Sequence, residues 1–156
     1  MWNRKRSVTL SIVVCAAVAA VLTVGLFIGP WVVTKWIGAY RDMSPDNPGT
    51  RIFMGVFSAC FYPCSVFGYV TLYSLIRLLV NIKRDDIFIP QNVAYLRRIS
   101  WCCFAVAAIT IVGGIIRIPA FVVIAVAAAF VGLLLRVVKN VMHSAVEIKA
   151  ENELTI

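Results

Sequence analysis

The chain predicts an all-α integral membrane protein. It reads as one domain over residues 1–156, an antiparallel four-helix bundle with both termini cytoplasmic and a short amphipathic cytoplasmic helix extending from the last span. Three observations carry this. Hydrophobic residues make up 62% of the chain and its mean hydropathy is +0.92, whereas an ordinary soluble domain is about 45–50% apolar. The excess falls into four charge-free runs, each near the length that covers a bilayer's hydrocarbon. The basic residues between those runs gather on one side.

The first run, Ser7 to Thr34, gives a span over about residues 8–34. Arg4, Lys5 and Arg6 precede it as they would a secretory signal, but a signal's apolar region is only about 7–15 residues long. Cys15 follows Val13 and Val14 rather than the small residues of a lipoprotein cleavage site. A retained helix is expected. The loop from Lys35 to Arg51 holds Ser44-Pro45-Asp46-Asn47-Pro48-Gly49, an irregular surface segment by its turn residues.

The second run, Ile52 to Ile76, predicts a span over 52–77. Pro63 in its middle removes a backbone donor and is expected to kink it. The segment from Asn81 to Arg98 follows, with the apolar Ile87-Phe88-Ile89 and then Pro90, which suits the first turn of a helix. That helix should pass through Val93 and Leu96 into a third span over 99–116.

The third and fourth runs hold about eighteen residues each, about 27 Å of helix. One continuous helix would put Arg117 at mid-membrane, at a cost of about 2.5–3.5 kcal/mol. Pro119 also disfavours helical geometry at Ile118. Gly113-Gly114 through Pro119 therefore predicts a hairpin, with the fourth span over 118–136 and a tail over 137–156. In the tail Val138, Val141, Met142, Ala145 and Ile148 recur at helical spacing. Glu151 to Ile156 leave that pattern.

Orientation follows from Lys and Arg. Of the fifteen, only Lys35, Arg41, Arg51 and Arg117 fall outside if both termini are inside. Trp2, Tyr95 and Trp101 then lie at the inner interface, and Trp31, Trp36 and Tyr40 at the outer one. The net charge of +8 is thus largely topological, and its expected partner is anionic lipid of the inner leaflet. Direct nucleic-acid binding is not expected, since no recognition module is visible.

The second span carries a polar line: Ser58, Tyr62, Ser65, Tyr69 and Tyr73 share one narrow helical face. Such a face lines a pocket or packs a helix–helix interface. The interface is preferred, because transport paths usually hold an ionisable group inside the membrane. Five cysteines are present, including Cys60, Cys64 and the adjacent Cys102 and Cys103. None forms a Cys-x-x-Cys, and packing residues are expected. His143, the single histidine, has no metal-ligand spacing around it. Gly25/Gly29, Thr110/Gly114 and Ala128/Gly132 allow close helix contact within the chain or in a homo-oligomer. No nucleophile–base pair, phosphate loop or carboxylate dyad is present, so neither enzymatic activity nor a cofactor is expected.

The cytoplasmic stretches are the most specific part. Phe88-Ile-Pro-Gln-Asn92-Val-Ala-Tyr-Leu-Arg97-Arg98-Ile leads into the third span. The last residues read Glu147-Ile-Lys-Ala-Glu151-Asn152-Glu153-Leu154-Thr155-Ile156. Together they resemble domain-of-unknown-function family 2975 (DUF2975), over essentially the whole chain. Glu153 stands where that family usually has Asp. The resemblance implies four helices in a bacterial plasma membrane, no established activity, and a partnership with a small helix-turn-helix regulator. The anionic tail and cationic Lys83, Arg84, Arg97 and Arg98 suggest two arrangements. Either Leu154 and Ile156 fold back near Phe88 and Ile89, or the tail is read by a cytosolic partner. The expected function is regulatory and non-enzymatic; the alternatives are a small transporter or channel subunit and a toxin-immunity protein acting through residues 43–51.

Overall fold

A computed structural model describes residues 4–41, 48–116 and 118–154. They form four helices: α1 (Arg4–Arg41), α2 (Pro48–Lys83), α3 (Pro90–Ile116) and α4 (Ala120–Leu154). No strand occurs among the described residues. Each helix holds a stretch long and apolar enough to cross a membrane: Ser7–Val33, Pro48–Lys83, Pro90–Ile116 and Ala120–Asn152. The protein is therefore a multi-pass membrane protein of four helices.

The helices run past the charge-free stretches that mark them in the sequence. Hydropathy reports the hydrocarbon limits, but a helix ends where backbone geometry or a breaker stops it. Pro48 and Pro90 open α2 and α3, where a missing N–H costs nothing. At the end of α2 the Asp85 N–H donates to Ile82 O at 3.2 Å and the Asp86 N–H to Asn81 O at 3.0 Å. Asp85 sits between them in the left-handed region at φ 67°. This is the Schellman arrangement with aspartate where glycine is usual. Pro30 and Pro63 lie inside continuous helices. α4 also continues through the tail to Leu154 rather than ending near Glu151, because Ala, Glu and Lys propagate a helix and no breaker intervenes.

Each helix packs on its neighbour in the chain, most closely α4 on α3. Their turn is drawn tight by the Ile118 N–H donating to Gly113 O at 3.1 Å, and by the Phe121 and Val122 N–H groups donating to Ile118 O and Pro119 O. A Cβ at Gly114 would stand 2.7 Å from Val122 Cγ2 and 3.0 Å from its backbone nitrogen. Farther along, the Ser100 hydroxyl donates to Gly132 O at 2.8 Å. The small pairs read from the sequence serve unequally. Gly29 meets the Phe61 ring, while Gly25 has open space around it.

The core centres on α3, where Val93, Leu96, Ile99, Cys102 and Ala107 are buried. Elsewhere large apolar side chains such as Phe27, Val21 and Ile115 point outward. Lipid makes that arrangement unexceptional, since apolar burial drives nothing between spanning helices. Polar groups inside bond locally: Ser65, Ser74 and Thr110 donate to carbonyls four residues back at 2.8 Å. Among the described residues no buried side-chain N or O lacks a partner.

Candidate functional site

The connection between α2 and α3, residues 84–89, lies at the same end of the molecule as the end of α4. Asn92 holds it shut. Its side chain is 0% exposed. Its Nδ2 donates to Asp86 O and to Ile87 O, each at 2.8 Å, and its Oδ1 accepts from Asn81 Nδ2 at 2.8 Å. Of the residues expected to face a partner, Asn92 is thus placed inside the protein, as a clamp. Phe88, Arg97 and Arg98 are exposed and Ile89 is partly so.

Ser100 opposite residue 132, and Gly113 and Gly114 opposite residues 121 and 122, set Pro90 level with about residue 144 of α4. About ten further residues, about 15 Å, project beyond α3. The chain makes no reversal before Leu154. Glu147, Glu151 and Asn152 are exposed on this projection. Ala145 and Ile148 on this projection share one face of α4 with Val141 just before it, and Val141 and Ile148 are exposed by 67% and 58%. Thr155 and Ile156 lie outside the described residues, as do Trp2, Arg117 and residues 42–47 of the first loop; of the side chains of Trp36, Tyr40, Glu153 and Leu154 nothing is described.

The opposite face of α4 is basic. Arg136, Lys139 and His143, with Arg97, Ser100 and Trp101 of α3, line a cleft of about 330 Å³. The sequence carried the signal in part, because residues 136, 139 and 143 recur at helical spacing, but the register that sets them against Arg97 was not visible. His143, read as an ordinary residue of the extension, lines this cleft and pairs with Glu147, Nδ1 to Oε1 at 3.4 Å.

The polar line of α2 does not stay together. Ser65 is buried, Tyr62 and Tyr73 are exposed, and Ser58 and Tyr69 are intermediate. Tyr73 accepts from Arg77 Nε at 3.2 Å. Tyr69 OH meets Thr23 Oγ1 of α1 at 2.8 Å; since the threonine proton goes to Ala19 O, the tyrosine is the donor. Tyr69→Phe should cost only about 0.6 kcal/mol in a detergent melt. A second cavity, about 410 Å³, lies between α2 and α3 among Val56, Cys60, Ile109 and Gly113. All five cysteines are free thiols. No cluster of three metal-ligating side chains occurs among the described residues.

The family model described as protein of unknown function (DUF2975) matches residues 35–156. The chain belongs to that family. The match takes in α2, α3, α4 and the end of α1, a shorter reach than the whole-chain resemblance expected. No curated protein and no solved structure matches the chain.

Proposed function

We infer that this DUF2975 member is a non-enzymatic protein of the bacterial plasma membrane, an antiparallel bundle with both ends in the cytoplasm, that engages a cytosolic partner. The partner is a small DNA-binding regulator, and the contact is made by the projecting end of α4 together with Phe88, Arg97 and Arg98. The observation that supports this is the outward stripe of Val141, Ala145 and Ile148. It continues beyond α3 on a stretch of helix that also carries Glu147, Lys149 and Glu151. An apolar stripe on a helix outside the membrane suits a groove in another protein. The acidic Glu147 and Glu151 flank it and favour a basic rim on the partner.

Affinity capture from native membranes tests the reading. Full-length protein should retain a cytosolic protein that, once purified, binds it directly. Val141→Glu with Ile148→Glu should weaken that binding at least about tenfold, as expected when two buried aliphatic anchors are lost. Removing residues 151–156 should weaken it as well. Tyr69→Phe should leave it unchanged. Binding indifferent to both tail alterations would overturn the proposal.

A further inference from the structure

The face by which α4 packs on α3 changes character along its length. Ala125 and Gly132 bring the backbones close; one turn later the same face carries Arg136, then Lys139 and His143. α3 does not answer with acid. It presents Arg97, Ser100 and Trp101. Three permanent cations and a histidine therefore converge on one cleft between two packed helices. Glu147 pairs with His143. Among the described residues no carboxylate pairs with Arg97, Arg136 or Lys139.

Like charges set across a helix contact repel, and a counter-anion seated between them would offset that repulsion. The cleft is also organised for one. Arg136, though exposed, lies 5.7 Å from the Trp101 ring centroid and 5.9 Å from that of Phe104, contacts that restrain its guanidinium at the edge of the cleft. The cleft volume of about 330 Å³ is that of roughly ten waters, room for a phosphate group and its ester.

Depth identifies the source. Arg136 and Lys139 lie sixteen and nineteen residues after Ala120, where α4 begins, about 24 and about 28 Å along the helix and close to one hydrocarbon thickness. That puts the cleft among the headgroups of the leaflet opposite the turn. Exposed Leu133, Leu134 and Val137 continue α4 into the hydrocarbon, where acyl chains lie alongside. We propose that this cleft is a binding site for a phosphate group, supplied by the headgroup of an anionic phospholipid. The site does not depend on which leaflet faces the cytoplasm, nor on the cytosolic partner.

The test uses the full chain in nanodiscs of phosphatidylcholine alone, or of equal parts phosphatidylcholine and phosphatidylglycerol. Retained lipid is counted by native mass spectrometry and the melting midpoint is recorded. The wild type should retain phosphatidylglycerol selectively and melt higher with it. Arg97→Gln with Lys139→Gln, which leaves the stacked Arg136 in place, should lower retention about tenfold and abolish the shift. Adding Arg136→Gln should remove what is left. Lys83→Gln with Arg84→Gln takes the same charge from the exposed end of α2 and should retain the lipid as the wild type does. Equal loss in this control, or no preference for phosphatidylglycerol in the wild type, would overturn the site. Inorganic phosphate added to phosphatidylcholine nanodiscs should not raise the midpoint; a cleft-dependent rise as large as that from phosphatidylglycerol would overturn the lipid source.

Discussion

Gly113→Ala should destabilise the protein by about 2 kcal/mol, and Cys60→Ala in the same chain should restore most of that loss. A Cβ at Gly113 would lie 2.5 Å from Cys60 Sγ and 3.0 Å from Phe121 Cδ2. The sulfur has little freedom to retreat, since Cys60 is buried and its thiol lies 3.7 Å from Ile109 O. Overpacking of this kind costs about 1–3 kcal/mol. Alanine's helical advantage over glycine, about 1 kcal/mol in water, offsets little here, because a spanning segment stays helical even when separated from its neighbours. Cys60→Ala alone leaves a small void and should cost about 1 kcal/mol. In the double variant the new methyl occupies the volume that the sulfur left. The coupling between the two changes should therefore be favourable by about 2–3 kcal/mol, read from reversible unfolding in detergent micelles. Simple addition of the two costs would mean that α2, α3 and the start of α4 do not meet at this point. Gly114 offers no such rescue, because the backbone nitrogen of Val122 lies at 3.0 Å from its Cβ position and no side-chain deletion moves it.

Asn92→Ala should be the most damaging single change near the α2–α3 connection, at about 3–5 kcal/mol. It strands the carbonyls of Asp86 and Ile87 and the amide of Asn81 around a side-chain position that is itself fully buried. Each such group costs about 1–3 kcal/mol when left unpaired, though not additively. Asn92→Asp keeps the shape but turns a carboxylate oxygen toward two carbonyls, so it should fare no better. Gln91→Ala, one residue away and exposed, should fall within about 0.5 kcal/mol of the wild type. Limited trypsin digestion offers a second readout. The connection adjoins the exposed Lys83 and Arg84, and cleavage there should rise with either Asn92 variant and not with Gln91→Ala. Resistance equal to the wild type would show that Asn92 does not hold the connection.

These two sites mark where the sequence could and could not be read. Gly113-Gly114 and Pro119 announced a hairpin, and Pro90 announced a helix start, because each acts through the local backbone. Four charge-free runs announced four helices for the same reason. The volume shared by Cys60 and Gly113 was not legible, since it depends on the register between two helices. Nor was the cleft of Arg97, Arg136, Lys139 and His143, whose members lie on two helices joined by a distant turn. Asn92 stands out in the sequence within a family motif, as a candidate contact for a partner or for the tail. Its burial follows from three hydrogen bonds that only the folded connection brings together. The helical tail expected beyond the fourth span runs on to Leu154 as one piece, whereas the irregular loop expected over Lys35 to Arg51 is shorter, because α1 continues to Arg41 and α2 starts at Pro48.

The proposed function requires a chain that crosses the bilayer four times, with residues 84–89 and the end of α4 on the cytoplasmic face. Single cysteines placed at positions 86, 148, 50 and 119 of a variant lacking the five native thiols test this, using a membrane-impermeant maleimide on intact cells. Positions 50 and 119 should label in intact cells, and positions 86 and 148 only after the membrane is opened. Labelling of 86 and 148 from opposite sides, or of 148 together with 119, would contradict it.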